Sequence, residues 1–356
     1  WMGLRPRRDG ALPCGPRLEG MVDGSALTHT VGQNTHSCST MTTTLLAILA
    51  LTADPVPDVH ATIERALPYI ETGGVTWIEE RDCVSCHRVS FMVWSLDAAR
   101  EKGFGVDADK LYEWREWSLD KSLSPREEDG ELVGLRNLDG LAQLLIARGE
   151  DPLESPRDDS YIKFAELIVA GQLEDGSWKP AGQLPFQKRS EAETAQASTM
   201  WNAISLASAG TDEASRARRS ALEFLTPHAE AQSAEWYAAG MLLAQNVANE
   251  SAVLSLRKEL LVRQNEDGGW GWLNGGDSDA LGTGQALYAL LRTGFPADSD
   301  EAVLAIEWLC ETQRDDGSWA VRSTKAKKQD SVEETAVYWG TCWAVIALLE
   351  VIPEDS

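Results

Sequence analysis

Gln264-Asn265-Glu266-Asp267-Gly268-Gly269-Trp270 is the stretch on which the fold turns, because it recurs. Gln172-Leu173-Glu174-Asp175-Gly176-Ser177-Trp178 is a second copy and Gln313-Arg314-Asp315-Asp316-Gly317-Ser318-Trp319 a third. Three copies of Q-x-x-D-G-x-W mark an internal repeat. The first gap is about twice the second, which places a degenerate unit between them. Each copy follows one run with helical apolar spacing and precedes another, such as Ser251 to Leu261 before Gln264 and Thr283 to Leu291 after Trp270. The Asp-Gly pair reverses the chain, since glycine tolerates positive φ. The Trp has the area to seal the gap between two helices. The unit is a helical hairpin.

Carried outward, the pattern gives six hairpins. They pair His60–Glu71 with Val84–Lys102, Asp107–Ser122 with Asn137–Ala147, and Tyr161–Gln172 with Glu193–Ala209. The remaining three pair Asp212–Leu225 with Ala234–Asn246, Ser251–Gln264 with Asp279–Thr293, and Asp300–Gln313 with Glu333–Val351. Gly103, Gly149, Gly210 and Gly294 close helices as C-caps. No polar capping repeat stands at either end, so the hairpins are expected to close into a ring rather than an open stack. The long connections Lys179–Arg189 and Ala320–Asp330 are expected at its rim.

The Gln…Gly-x-Trp turn resembles the QW repeat of squalene–hopene cyclases, oxidosqualene cyclases and protein prenyltransferase β subunits. It does so over residues 158–350, with 55–157 included by inference. The resemblance implies an all-α fold, an α6/α6 toroid whose inner helices line a central cavity. It also directs attention to acids before inner helices. Glu191-Ala192-Glu193-Thr194-Ala195, Asp277-Ser278-Asp279 and Glu333-Glu334-Thr335-Ala336 echo the cyclase D-x-D-D-T-A site, without its consecutive acids. Glu193, Asp279 and Glu334 are therefore candidates for a catalytic acid, with N-capping as the competing reading. The prenyltransferase zinc site lacks its pattern, because no His follows Cys310 or Cys342. These two read as core thiols.

Cys83-Val84-Ser85-Cys86-His87 matches the C-x-x-C-H attachment signature of a covalent haem c. Cys83 and Cys86 would form the thioethers and His87 would be the axial iron ligand. A structural zinc completed by Cys310, or a Cys83–Cys86 disulfide, are the rival readings. With His60, His228, Met92, Met200 and Met241 all poorly placed for the sixth position, a five-coordinate or water-bound haem is expected at the cavity mouth. Trp94, Trp201, Tyr288, Trp339 and Trp343 are the candidates to line an apolar cavity. The function these features imply is redox chemistry or electron transfer, on a hydrophobic or isoprenoid-like ligand or with a redox partner protein. A non-catalytic binding or scaffold toroid and a terpene cyclase-like enzyme are the alternatives.

The chain is acidic, with 56 Asp and Glu against 32 Lys and Arg and a formal charge of −24. That argues against nucleic acid and anionic membrane surfaces as partners. No apolar run approaches the ~20 residues of a membrane span. Residues 1–40 carry no periodicity and read as an extension outside the domain. Met41 to Ala53, with the run Leu45 to Leu51, reads as a signal peptide, followed by a single toroid domain over 54–356. Export to the periplasm or medium is the corresponding expectation.

Overall fold

A computed structural model describes residues 58–81, 83–84, 88–149, 158–181, 184–225, 231–328 and 331–353. The extension, the leader-like run, Cys86 and His87 lie outside these residues. Among the described residues, twelve α-helices alternate between an outer and an inner ring. The outer ones are α1 (Val59–Arg81), α3 (Ala108–Leu123), α5 (Asp159–Ala170), α7 (Asp212–Leu225), α9 (Glu250–Leu261) and α11 (Asp300–Thr312). The inner ones are α2 (Val89–Glu101), α4 (Leu138–Arg148), α6 (Glu191–Ser205), α8 (Ala234–Asn246), α10 (Ala280–Arg292) and α12 (Glu334–Leu349). Each inner helix packs on the next, and α12 returns to α2, so the ring is closed. The fold is an α6/α6 toroid. Among the described residues the only extended pairings are isolated bridges.

Burial explains which helices lie inside. In α12 every residue from Ala336 to Leu349 is buried, so the helix is apolar all round and must be surrounded by protein. The outer α7 buries only Ala214, Ala217, Ala221 and Leu225, one stripe of an otherwise charged helix.

The repeated turn is a clasp built from five hydrogen bonds. The Trp270 indole N–H donates to the Leu260 carbonyl at 2.9 Å, and the backbone N–H of Trp270 donates to Thr283 Oγ1 of the inner helix at 2.9 Å. Gln264 Nε2 donates to its own turn at Gly268 O (2.7 Å) and to Glu301 O of the next outer helix (2.8 Å). The Asp267 carboxylate accepts from the Gly269 N–H at 3.1 Å, fixing the turn. The other two copies repeat the scheme: Gln172 reaches Ala217 O on α7, and Gln313 reaches Thr62 O on α1. Gly176, Gly268 and Gly317 all have φ between 83° and 89°. They also sit against the neighbouring outer helix, where a Cβ on Gly317 would lie 2.0 Å from Arg65 O. Only glycine meets both demands. The third clasp closes the ring, with help from Tyr338 OH donating to Ile70 O at 2.9 Å.

One hairpin begins differently from its sequence reading. The first outer helix does not stop near Glu71 but runs on through Trp77 to Arg81. Gly73 and Gly74 lie within this helix and are packed closely against inner-helix side chains. A Cβ at Gly73 would meet the Tyr338 ring at 2.5 Å, and one at Gly74 would meet Met92 Sδ at 2.2 Å.

Candidate functional site

All six inner helices point their N-termini at one face of the ring, where a cavity opens. Its wall includes Asp139 and Gln143 of α4, Ser198 and Trp201 of α6, Glu235 of α8, and Glu333, Trp339 and Trp343 at and within α12. Two rim loops complete it with Leu184, Gln187, Arg189, Thr324 and Lys325. These loops pair across the mouth through the bridge Gln187–Lys325, the Lys188 N–H donating to Thr324 O at 2.9 Å. The enclosed space is narrow, about 50 Å³.

The floor is aromatic. Trp343 lies 5.5 Å from Phe91, 5.4 Å from Trp94, 5.7 Å from Trp201 and 5.6 Å from Tyr288, ring centre to ring centre. Below it a second cavity of about 460 Å³ opens at the C-terminal ends of the inner helices, lined by Tyr288, Gln245 and Arg292. Trp201 lines both cavities.

Above the floor the carboxyl groups have unlike environments. Asp139 is buried, and burial pushes its carboxyl up to about 6, with the charge of Glu235 adding to the shift. The polar neighbours Ser198 and Ala181 act the other way, the Ala181 N–H donating to Asp139 Oδ2 at 3.3 Å. Glu333 goes down. Partial burial opposes this, but Lys325 Nζ at 3.0 Å holds its carboxyl below the ordinary range. Glu235 is clamped by Arg189 at 2.8 Å and by the Trp201 indole N–H at 3.1 Å. The Arg189 guanidinium in turn lies over the Trp272 ring, 5.4 Å from its centre.

Trp94, Trp201, Trp339 and Trp343 line this upper cavity, and Tyr288 lines the lower one. The three acids drawn from the cyclase echo are elsewhere. Glu193 accepts from Gln232 N at 2.7 Å and from Ser233 Oγ at 2.5 Å, tying α6 to the loop before α8. Asp279 caps α10 through Leu281 N (3.0 Å) and Gly282 N (2.8 Å) and also accepts from Trp272 N at 2.9 Å. Glu334 is exposed and pairs with Arg88. None of the three lines the cavity. Sequence reading passed over Asp139 and Glu235, which occupy the second position of their inner helices, and picked Glu334 where its neighbour Glu333 is the one at the cavity. Cys342 is buried and burial pushes its thiol up to about 12, while Cys310 is half-buried and also raised.

The expectation of an apolar cavity mouth is corrected by this geometry, while Cys86 and His87 of the haem motif lie outside the described residues. The mouth is lined by charged and amide groups. Cys83 is exposed on the turn between α1 and α2, its carbonyl accepting from Trp77 Nε1 at 3.0 Å, and it is not part of the cavity wall. Among the described residues no cluster of three or more His, Cys, Asp or Glu is arranged to hold a metal. Nor is any helix among them long and apolar enough to cross a membrane.

No protein-family model matches the chain, and no curated protein matches its sequence. Solved structures do match its fold. A glycosyl hydrolase of family 88 from Bacteroides vulgatus superposes with a TM-score of 0.56 at 11% identity, covering 83% of this chain and 98% of that one. An unsaturated glucuronyl hydrolase from Streptococcus agalactiae gives 0.55 at 13%, covering 84% and 92%. A polysaccharide lyase gives 0.51 at 10%, covering 82% and 97%. These neighbours overturn the redox, scaffold and terpene-cyclase readings together with their haem, cytochrome and squalene-cyclase vocabulary. What the chain shares with them is the α/α toroid.

Proposed function

We propose that the protein is a carbohydrate-active enzyme that hydrolyses a glycosidic bond at the mouth of its central cavity. The observation that carries this reading is the divergence of two carboxyl groups over one aromatic floor. Asp139 is pushed up to about 6 and Glu333 is held low. Titratable pairs driven apart by their surroundings are how an acid and a base are told apart in a glycosidase. Asp139, protonated, donates to the glycosidic oxygen as the C–O bond breaks. Glu333, kept ionised by Lys325, stabilises the positive charge at the anomeric carbon and takes a proton from the attacking water. Trp94, Trp201, Trp339 and Trp343 offer faces on which a sugar ring can stack. The fold neighbours named for glycoside hydrolysis and polysaccharide cleavage support the same class of substrate. The leader-like run before Ala53 suits work outside the cytoplasm, where polysaccharides are met.

The test is cleavage of a panel of neutral and acidic oligosaccharides, read by chromatography of the products. Activity is expected to be lost in Asp139→Asn, which keeps the side chain's shape and removes its proton donor. A chain that cleaves nothing in the panel would refute the reading.

A further inference from the structure

We infer that the cavity selects an uncharged sugar unit and discriminates against uronates, an inference that rests on the carbohydrate reading above. Six helix N-termini converge on the mouth, and such ends ordinarily attract anions. Here the chain has supplied its own. Asp139 stands in the first turn of α4, Glu193 in that of α6 and Glu235 in that of α8, while Asp279 caps α10 and Glu333 occupies the N-terminal flanking position of α12. Among the described residues of the inner helices, only α2 begins without a carboxylate.

The basic side chains in the wall are likewise matched. Arg189 is paired with Glu235 at 2.8 Å and Lys325 with Glu333 at 3.0 Å. Arg189 keeps an unpartnered Nε–H, but its charge is answered. The lining charge left over is that of Asp139, which is negative above pH 6. Among the described residues, a sugar carboxylate entering this cavity would meet no unmatched cation and one unmatched anion.

Outside the Arg189–Glu235 ion pair, the buried lining groups still seeking hydrogen bonds are neutral. The indole N–H groups of Trp339 and Trp343 and the Gln187 amide oxygen are buried without a partner, and all three residues line the cavity. Two donors and an acceptor of this kind suit hydroxyl groups, which both donate and accept. A buried polar group left unsatisfied is costly, so these atoms are the ones a ligand would relieve. The selectivity inferred is opposite to that named for the glucuronyl hydrolase neighbour.

The measurement is tryptophan fluorescence at pH 7 with glucose, galactose and mannose, each against the uronate that differs from it only by the C6 carboxylate. At least one neutral sugar is expected to bind about tenfold or more tightly than its uronate. The Glu333→Gln variant releases the charge of Lys325, and is expected to narrow that ratio by raising uronate affinity severalfold. Loss of packing alone would weaken both members of a pair. Uronates binding as well as or better than their partners would overturn the inference while leaving the enzyme reading intact. A ratio unmoved by Glu333→Gln would overturn the charge-matching argument. If no sugar of either kind binds, the inference fails, and the oligosaccharide panel then decides separately whether the enzyme reading fails with it.

Discussion

Asp139 is the residue on which the proposed chemistry depends, and its pH behaviour follows from its burial. A general acid must be protonated to act, so the rate is expected to fall as pH rises through about 6. The low value of Glu333 places the other limb of the profile below the ordinary carboxylate range. Asp139→Asn is expected to cost roughly 10²–10⁴ in kcat/KM with the fold retained, checked by steady-state rates alongside circular dichroism. Little of this was legible beforehand. Asp139 follows Leu138 at the start of an unremarkable apolar helix, and nothing in the local sequence distinguishes it from an N-terminal acid that merely suits the helix dipole. Its role comes from four other helices and a rim loop closing over it. Glu333 was closer to hand, since the Glu333-Glu334 pair drew attention, but which acid faces inward depends on α12 starting one residue later, at Glu334.

At the scale of the hairpin the sequence was far more legible. The Q-x-x-D-G-x-W turn spells out its own hydrogen bonds, because a buried carbonyl at a helix end needs a donor and a tight turn needs glycine. Gln264→Ala removes donors from two carbonyls, Gly268 O and Glu301 O, and is expected to cost about 1–3 kcal/mol, measured by denaturant unfolding. Gly317→Ala is expected to cost more than Gly275→Ala. Both have positive φ, 83° and 73°, but only Gly317 is also pressed against a neighbouring helix, whereas Gly275 has open space beside it. The strain of φ alone is about 1–2 kcal/mol, and the excess at Gly317 measures the clasp. Where no such turn crosses, the wall differs. Between α7 and α9 lies a groove of about 710 Å³ lined by Leu222, Leu225, Tyr237 and Leu256. The degenerate unit inferred from the spacing of the repeats is the one beside this groove.

For the molecule as a whole, two buried carboxyls set the response to pH. Asp139 and Asp279 are both raised by burial to about 6, from an ordinary value of 3.8. The folded state therefore binds their protons more tightly than the unfolded chain does. Their contribution is fully stabilising below about pH 4 and is lost as pH climbs through 6, each costing on the order of 2–3 kcal/mol by pH 7. Carboxyls held low, such as Glu333, act in the opposite sense but only in more acid solution. Tm is thus expected to be higher at pH 5 than at pH 7.5. Asp279→Asn, which keeps a side chain able to cap α10, is expected to shrink that difference by about half, as calorimetry would measure. Ring closure, read from the absence of polar capping hairpins, holds because Gln313 and Tyr338 of the last unit find their acceptors on the first. The aromatic layer around Trp343 has a separate consequence. A toroid invites the picture of a tunnel through which a polymer threads, but this one is a blind well. A chain can insert only an end, and whatever is cut off must back out past the remainder through the entrance it came by. If the proposed hydrolase reading holds, such an enzyme would trim termini and let go after each cut. Reducing sugar should therefore accumulate from a long polysaccharide while the viscosity of the solution barely falls.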